Sequence, residues 1–312
     1  MATVLLERLV LNAPHLKAAQ AIPAFIYGTA WKKEASSDLV YQAIANGFTA
    51  IDTAAQPKHY REDLVAAGVS KAIKEGLVKR KDLYLQTKFT SIGGQDPTNM
   101  PYDQKSPLPE QVNASVISSL QNFNFGDVIT EGDEREPYID TLVLHSPMPS
   151  MNETLEVWQT LEQYVPREIR NLGISNCNFF TLMELYERAT IKPVVVQNRF
   201  YGSTKYDIGL RKFCREKGII YESFWTLTGN PTLLKAAETR QLARQLDVSP
   251  AAALYCMVLG LANTTVLNGT TNAKNMQEDW QAIGKAAAYA KENSGDWSRL
   301  MVGFKKSIRE AR

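Results

Sequence analysis

Eight short runs rich in β-branched and aliphatic residues recur along this chain of 312 residues, each separated from the next by a longer stretch that holds an amphipathic segment. The runs are AFIYGT, TAID, LYLQTKF, IDTLVLH, NLGIS, VVVQN, IIYESFW and TTVLNG. Between them lie segments such as SSDLVYQAIANG, LVAAGVSKAIKEG, PEQVNASVISSLQNF, NETLEVWQTLEQYV, FFTLMELYERA and GLRKFCREKG, with apolar residues every three or four positions. Continuous apolar runs alternating with helical periodicity are the pattern of a parallel sheet with helical crossovers, because parallel strands are covered on both faces. Ser36 and Asn152 are placed as helix N-caps, and Gly47, Gly76 and Gly218 as helix C-terminal stops.

Four polar side chains near the ends of these runs are suited to proton chemistry: Asp52, Tyr60, Lys88 and His145. In an α/β barrel the carboxyl ends of different strands converge on one mouth, so groups far apart in sequence can surround one small molecule. A tyrosine hydroxyl keeps its proton at neutral pH, with a reference pKa of about 10. An adjacent ammonium favours the phenolate and so makes the hydroxyl a better acid. Burial alone would discharge Lys88, and Asp52 supplies the counter-ion that keeps it charged. His145 can donate to the same substrate oxygen and hold it in register. The competing reading makes Asp52 and Lys88 a structural ion pair and His145 a core histidine.

The chain resembles the aldo-keto reductases, single-domain (β/α)8 barrels that reduce carbonyls with a nicotinamide cofactor. The resemblance runs from YGTAW near residue 28 to NGTTNAKNMQED near residue 279. It implies a (β/α)8 TIM barrel over residues 1–312, with the amino-terminal segment LERLVLNAPHLKAAQAIP forming a β-hairpin plug and His15 a loop residue. The family's catalytic set falls on Asp52, Tyr60, Lys88 and His145. GISN, with Ser175 and Asn176, and VVVQN, with Gln197, look like the segments that hold the nicotinamide carboxamide, since amides both donate and accept. Phe224 takes the place of the usual tyrosine that stacks on the nicotinamide, and Leu227 and Gly229 belong to the loop expected over the pyrophosphate.

Departures from the family pattern cluster in two places. The tyrosine loop AAQPKHYREDLV carries an insertion, and Arg61-Glu62 follows Tyr60 where Gly-Asn-Glu is usual; His59 is expected to point away. At the adenosine end Asn268 stands where many members have lysine, followed by Gly269 and Thr270, and Lys274 or Asn275 takes the position of an arginine. The resemblance implies NADPH, with NADH as the second choice by a reduced margin, because lysine binds phosphate as a point charge without the fork of arginine. Glu278 and Asp279 look like the pair near the adenine. Trp31, Tyr102 and Trp225 are expected to line the mouth and favour an apolar or ring-containing carbonyl substrate, with the long segment 91–110 as a covering loop.

Composition narrows the alternatives. Lysine plus arginine exceed aspartate plus glutamate by two, so no strong field attracts nucleic acid or an anionic membrane. The cysteines, Cys177, Cys214 and Cys256, lack metal-ligand spacing and suit free thiols in a reducing compartment. No metal site is expected. A cytoplasmic protein, monomeric or weakly oligomeric, is expected. There is no Gly-x-Gly-x-x-Gly fingerprint. Two other functions share the barrel: a non-catalytic, cofactor-sensing protein, and an aldolase-type enzyme using Lys88 as a Schiff base.

Overall fold

The structure is a computed structural model that describes residues 8–11, 20–129, 134 and 136–310. His15 lies outside the described residues. A two-stranded antiparallel ribbon, β1 (Arg8–Leu11) and β2 (Gln20–Pro23), precedes eight parallel strands: β3 (Phe25–Gly28), β4 (Ala50–Asp52), β5 (Tyr84–Phe89), β6 (Ile139–Leu144), β7 (Ile169–Ser175), β8 (Val195–Arg199), β9 (Ile220–Phe224) and β10 (Thr264–Asn268). They close in sequence order, β10 pairing with both β9 and β3. Each run read as a strand from its β-branched content is a barrel stave. The expected (β/α)8 architecture with an amino-terminal hairpin is present.

The helices pack outside. They are α1 (Ser36–Ala45), α2 (Glu62–Lys74), α3 (Leu108–Asn122), α4 (Met151–Glu162), α5 (Phe179–Arg188), α6 (Ile208–Lys217), α7 (Pro231–Leu234), α8 (Ala237–Leu246), α9 (Pro250–Leu259), α10 (Ala273–Glu292) and α11 (Ser294–Ser307). The larger apolar core lies between helices and staves, around Phe25, Phe48, Trp158 and Trp297. A smaller one fills the barrel's amino-terminal end. There Leu11 and Ile22 of the ribbon pack with Ala50, Tyr84, Val195 and Ile220, and Gln20 donates to Asp140 Oδ1 at 2.9 Å. The ribbon therefore closes the end opposite the strands' carboxyl termini.

Helix punctuation was partly legible. Gly47, Gly76 and Gly218 take φ of 102°, 73° and 70°, conformations that glycine adopts without steric cost. The two N-cap assignments are corrected. Ser36 is the first residue of α1, entered through a 3₁₀ turn, and its hydroxyl donates to Lys33 O at 2.6 Å. Asn152 lies inside α4, because Ser150 forms a capping box with Glu153 two residues before it. Ahead of β6, Glu134 pairs with Arg170 of β7 at 2.6 Å.

Candidate active site

The strand ends carry the polar groups inward. Asp52 closes β4 and Lys88 sits in β5, both almost fully buried. Lys88 Nζ donates to Asp52 Oδ1 and Oδ2, each at 2.6 Å, and to Thr53 O at 2.8 Å. An ammonium has three donors, and these contacts account for them. Burial works against the Lys88 charge, yet Asp52 and then Tyr60 hold its pKa above the usual value.

Tyr60 stands on the loop between β4 and α2, its ring centroid 5.3 Å from Lys88 Nζ and 6.0 Å from the His145 ring. Lys88 thus acts on Tyr60 through its field, its own hydrogen bonds being spent on Asp52 and Thr53. Burial raises the Tyr60 pKa, Lys88 pulls it down and Asp52 pushes it up, with a net rise. At neutral pH the phenol keeps its proton. His145 follows β6, and its pKa is held down to about 3 by burial, by Lys88 and by His59. Its ring is neutral and shares a 2.6 Å hydrogen bond between Nδ1 and Thr90 Oγ1. If Thr90 donates, the ring proton resides on Nε2.

Asp52, Tyr60 and His145 open into a cavity of about 740 Å³ at the carboxyl ends of the strands. Ser175, Asn176, Gln197, Phe224 and Leu227 line the same cavity, as do Trp31 and Trp225. Ser175 Oγ donates to Gln197 O at 2.6 Å, and Asn176 Nδ2 to His145 O at 2.9 Å, which locks β6, β7 and β8 together at their ends. Gln197 Nε2 donates inward to Asp52 Oδ1 at 3.0 Å. Asn268, Gly269, Thr270, Asn275 and Asp279 form a further wall.

The remaining candidates take the following places. Tyr102 is core, not mouth: its ring packs 5.9 Å from Phe89 and its hydroxyl donates to Thr90 O at 2.7 Å. The segment 91–110 contributes nothing to the cavity wall; its Asn99 and Pro101 border a neighbouring cleft instead. Gly229 does not reach the cavity but closes a turn onto Trp225 O at 2.9 Å, where a Cβ would come within 2.8 Å of that oxygen. Lys274 is exposed in the first turn of α10, outside the cavity lining, which Asn275 joins. Glu278 Oε1 accepts from Ser249 N at 2.5 Å, tying α10 to the start of α9. Asn268 lines the cavity, but its amide is committed to Asp279 Oδ2 at 2.7 Å. His59 does not turn away: residues 57–61 precede the helix, and its ring lies 3.7 Å from that of Trp31 on the cavity wall.

The sequence reading missed Lys32, Arg199 and Glu222. Lys32 follows Trp31 on the β3 loop, donates to Gly269 O and lines the cavity. A Cβ at Gly269 would meet only Lys32 Nζ, at 3.9 Å, so the backbone there is open to close approach by a ligand. Arg199 stacks its guanidinium 4.6 Å from the Trp225 ring. Glu222 is buried in the barrel interior. Its signal was available: period-two alternation along β9 turns Glu222 inward when Tyr221 faces the helices. Among the described residues there is no cluster of metal-ligating groups and no helix long and apolar enough to cross a membrane.

A closed barrel whose open end gathers a protonated phenol, a buried lysine–aspartate pair and a neutral imidazole defines a (β/α)8 protein with proton-handling groups at the carboxyl ends of its strands. The chain belongs to the Aldo/keto reductase family, whose model matches residues 25–300. It is 27% identical over 320 residues to the NAD(P)H-dependent D-xylose reductase of Candida tenuis, covering 92% of this chain and 97% of that one. It is 31% identical over 228 residues to the NAD(P)H-dependent D-xylose reductase of Scheffersomyces stipitis, covering 67% and 66%. The crystal structure of a Bombyx mori aldo-keto reductase in complex with NADP superposes with a TM-score of 0.67 at 20% identity, over 91% of this chain and 93% of that one.

Proposed function

We propose that this protein reduces an aldehyde or ketone to an alcohol, with NADPH as reductant and NADH as the weaker alternative. The observation that carries the reading is one cavity lined both by proton-handling groups, Asp52, Tyr60 and His145, and by the amide and aromatic set Ser175, Asn176, Gln197 and Phe224. A nicotinamide fits the second group. Asn176 offers its amide and Gln197, whose N–H groups go to Asp52 and Glu222, its amide oxygen to a carboxamide, Phe224 offers an apolar face to the ring, and Lys32 beside the open Gly269 backbone offers a cation to a phosphate. When bound, the cofactor supplies the hydride.

The chain's own residues do the rest. Tyr60 holds the proton that the nascent alkoxide needs. Lys88, kept charged by Asp52, lowers the cost of the phenolate left behind. His145, neutral and with Nδ1 bonded to Thr90, presents Nε2 towards the carbonyl oxygen and fixes its direction. General acid help of this kind is worth roughly 10² to 10⁴ in rate, the remainder coming from alignment. The half-exposed Trp31 and Trp225 at the mouth favour an apolar or ring-containing carbonyl.

The reading extends to a monomer in the cytosol, built as one barrel unit and meeting small molecules, with no nucleic-acid or membrane partner. The near-balanced charge and the three buried free thiols support it. Oxidation of NADPH or NADH, followed by absorbance against a panel of aliphatic and aromatic aldehydes, tests the function. Turnover with NADPH ahead of NADH is expected. Cofactor binding without any oxidation would instead point to a sensing role, and clear preference for NADH would reverse the cofactor assignment.

A further inference from the structure

Glu222 is fully buried on β9, and its carboxylate faces the buried Lys88–Asp52 ion pair. Its Oε2 accepts from Gln86 Nε2 at 2.7 Å and from Gln197 Nε2 at 2.9 Å. The same two amide nitrogens donate to Asp52 Oδ1, at 2.8 and 3.0 Å. Gln86 and Gln197 thus bridge two carboxylates, each amide giving one N–H to either side. Glu222 Oε1, by contrast, has no hydrogen-bond partner among the described residues, and neither has Thr265 Oγ1 on β10, its neighbour in register.

The groups facing this cluster are Asp52 on β4, Tyr84 and Lys88 on β5, and Tyr60 beyond Lys88. Lys88 is the cation of the set, and its donors are committed to Asp52 and Thr53. Two ionised carboxylates against one ammonium leave a net negative charge out of water, which is costly unless one carboxylate takes a proton. Glu222 is the one placed to take it. Burial first, and then the charge of Asp52, push its pKa to about 7, while the bonds from Gln86 and Gln197 and the field of Lys88 act the other way. The unpartnered Oε1 is free to carry that proton.

We propose that Glu222 is a positioning residue that sets the pH range of the reaction: by taking or losing a proton across the Gln86 and Gln197 bridge from Asp52, it changes the charge behind Lys88 and so the acidity of Tyr60. This rests on the reductase reading above. Protonated Glu222 leaves the field of Lys88 free to favour phenolate at Tyr60. Ionised Glu222 opposes that phenolate, and reduction slows. Gln197, which lines the cofactor cavity, is together with Gln86 the physical link between Glu222 and Asp52.

The test compares kcat and KM for carbonyl reduction across pH in the parent, Glu222→Gln and Glu222→Asp. A single proton with a midpoint near 7 gives the parent a fall in kcat of about tenfold between pH 6 and pH 8. In Glu222→Gln that ratio is expected to drop to about two or less, whereas Glu222→Asp, which keeps a carboxyl, retains an inflection. Asp279, a carboxyl on the cavity wall with a midpoint at about 6, sits with Asn268 and is expected to move KM for the cofactor instead. Infrared titration of the resting protein adds a readout independent of turnover: a protonated-carboxyl band that disappears through pH 7 in the parent and is missing from Glu222→Gln. An inflection in kcat that persists in Glu222→Gln, or no such band in the parent, overturns the proposal while leaving the reductase reading intact. A parent that reduces no carbonyl overturns both, and the infrared band then still reports whether Glu222 holds a proton.

Discussion

Replacing Lys88 by methionine would separate the two things this lysine is argued to do. In the folded protein its ammonium is buried and gives all its donors to Asp52 and Thr53. Methionine fills similar volume without charge, leaving the carboxylates of Asp52 and Glu222 with only the amides of Gln86 and Gln197. Removing one partner of a buried pair costs about 3–5 kcal/mol, because the other charge stays desolvated and uncompensated. The cost depends on pH. Protonating the cluster removes the stranded charge, so the loss is expected to be larger at pH 8 than in mild acid. Urea denaturation at both pH values measures it, and a Lys88→Met, Asp52→Asn double variant is expected to recover much of the loss, since the pair then disappears together. A loss below about 1 kcal/mol, or one that ignores pH, would mean that the pair is not the buried electrostatic unit described here.

Further outcomes follow from the same geometry. Glu222 holds its proton to about pH 7 in the fold against an ordinary value of 4.5, so the folded state binds more protons between those values. Stability is therefore lost as pH rises through that window, by roughly 3 kcal/mol. His145 runs the other way, since its folded value of about 3 lies below its ordinary 6.5 and stability is lost as pH falls between them. Glu222's share is thus read as the difference between parent and Glu222→Gln in denaturation midpoints across pH; identical pH dependence in both would contradict the assignment. Gly68→Ala in α2 would place a Cβ 2.4 Å from Ser37 O and 3.0 Å from Val40 Cβ of α1. A net loss of about 1–3 kcal/mol is expected despite a helix-propensity gain of roughly 1, and a stabilised variant would show that the two helices can part without cost.

The barrel was legible because parallel staves are covered on both sides and so read as short, near-continuous apolar runs; β5 (YLQTKF) and β8 (VVQNR) are buried along almost their whole length even where they carry polar residues. The polar members of the site could be read for the same reason: Lys88 and Gln197 stand out where apolar residues are the rule. Positions set by loops were harder. Nothing local in PYDQ says that Tyr102 will fold back onto Phe89, and nothing local in PKHY says that the turn before α2 will set His59 against Trp31. The residues expected at the adenosine end depended on which side chains had already been claimed within the protein. Asn268 is committed to Asp279 and Glu278 to Ser249, pairings between elements that spacing along the chain does not disclose.

The role of Tyr60 carries the account, and Tyr60→Phe tests it at one atom. The ring keeps its packing near Lys88 and His145, so the variant is expected to fold and to bind NADPH as the parent does. Single-turnover reduction of an aldehyde by the preformed cofactor complex is then expected to slow by roughly 10² to 10⁴. A variant that binds NADPH and transfers hydride at the parent's rate would remove the phenol from the chemistry and contradict the mechanism.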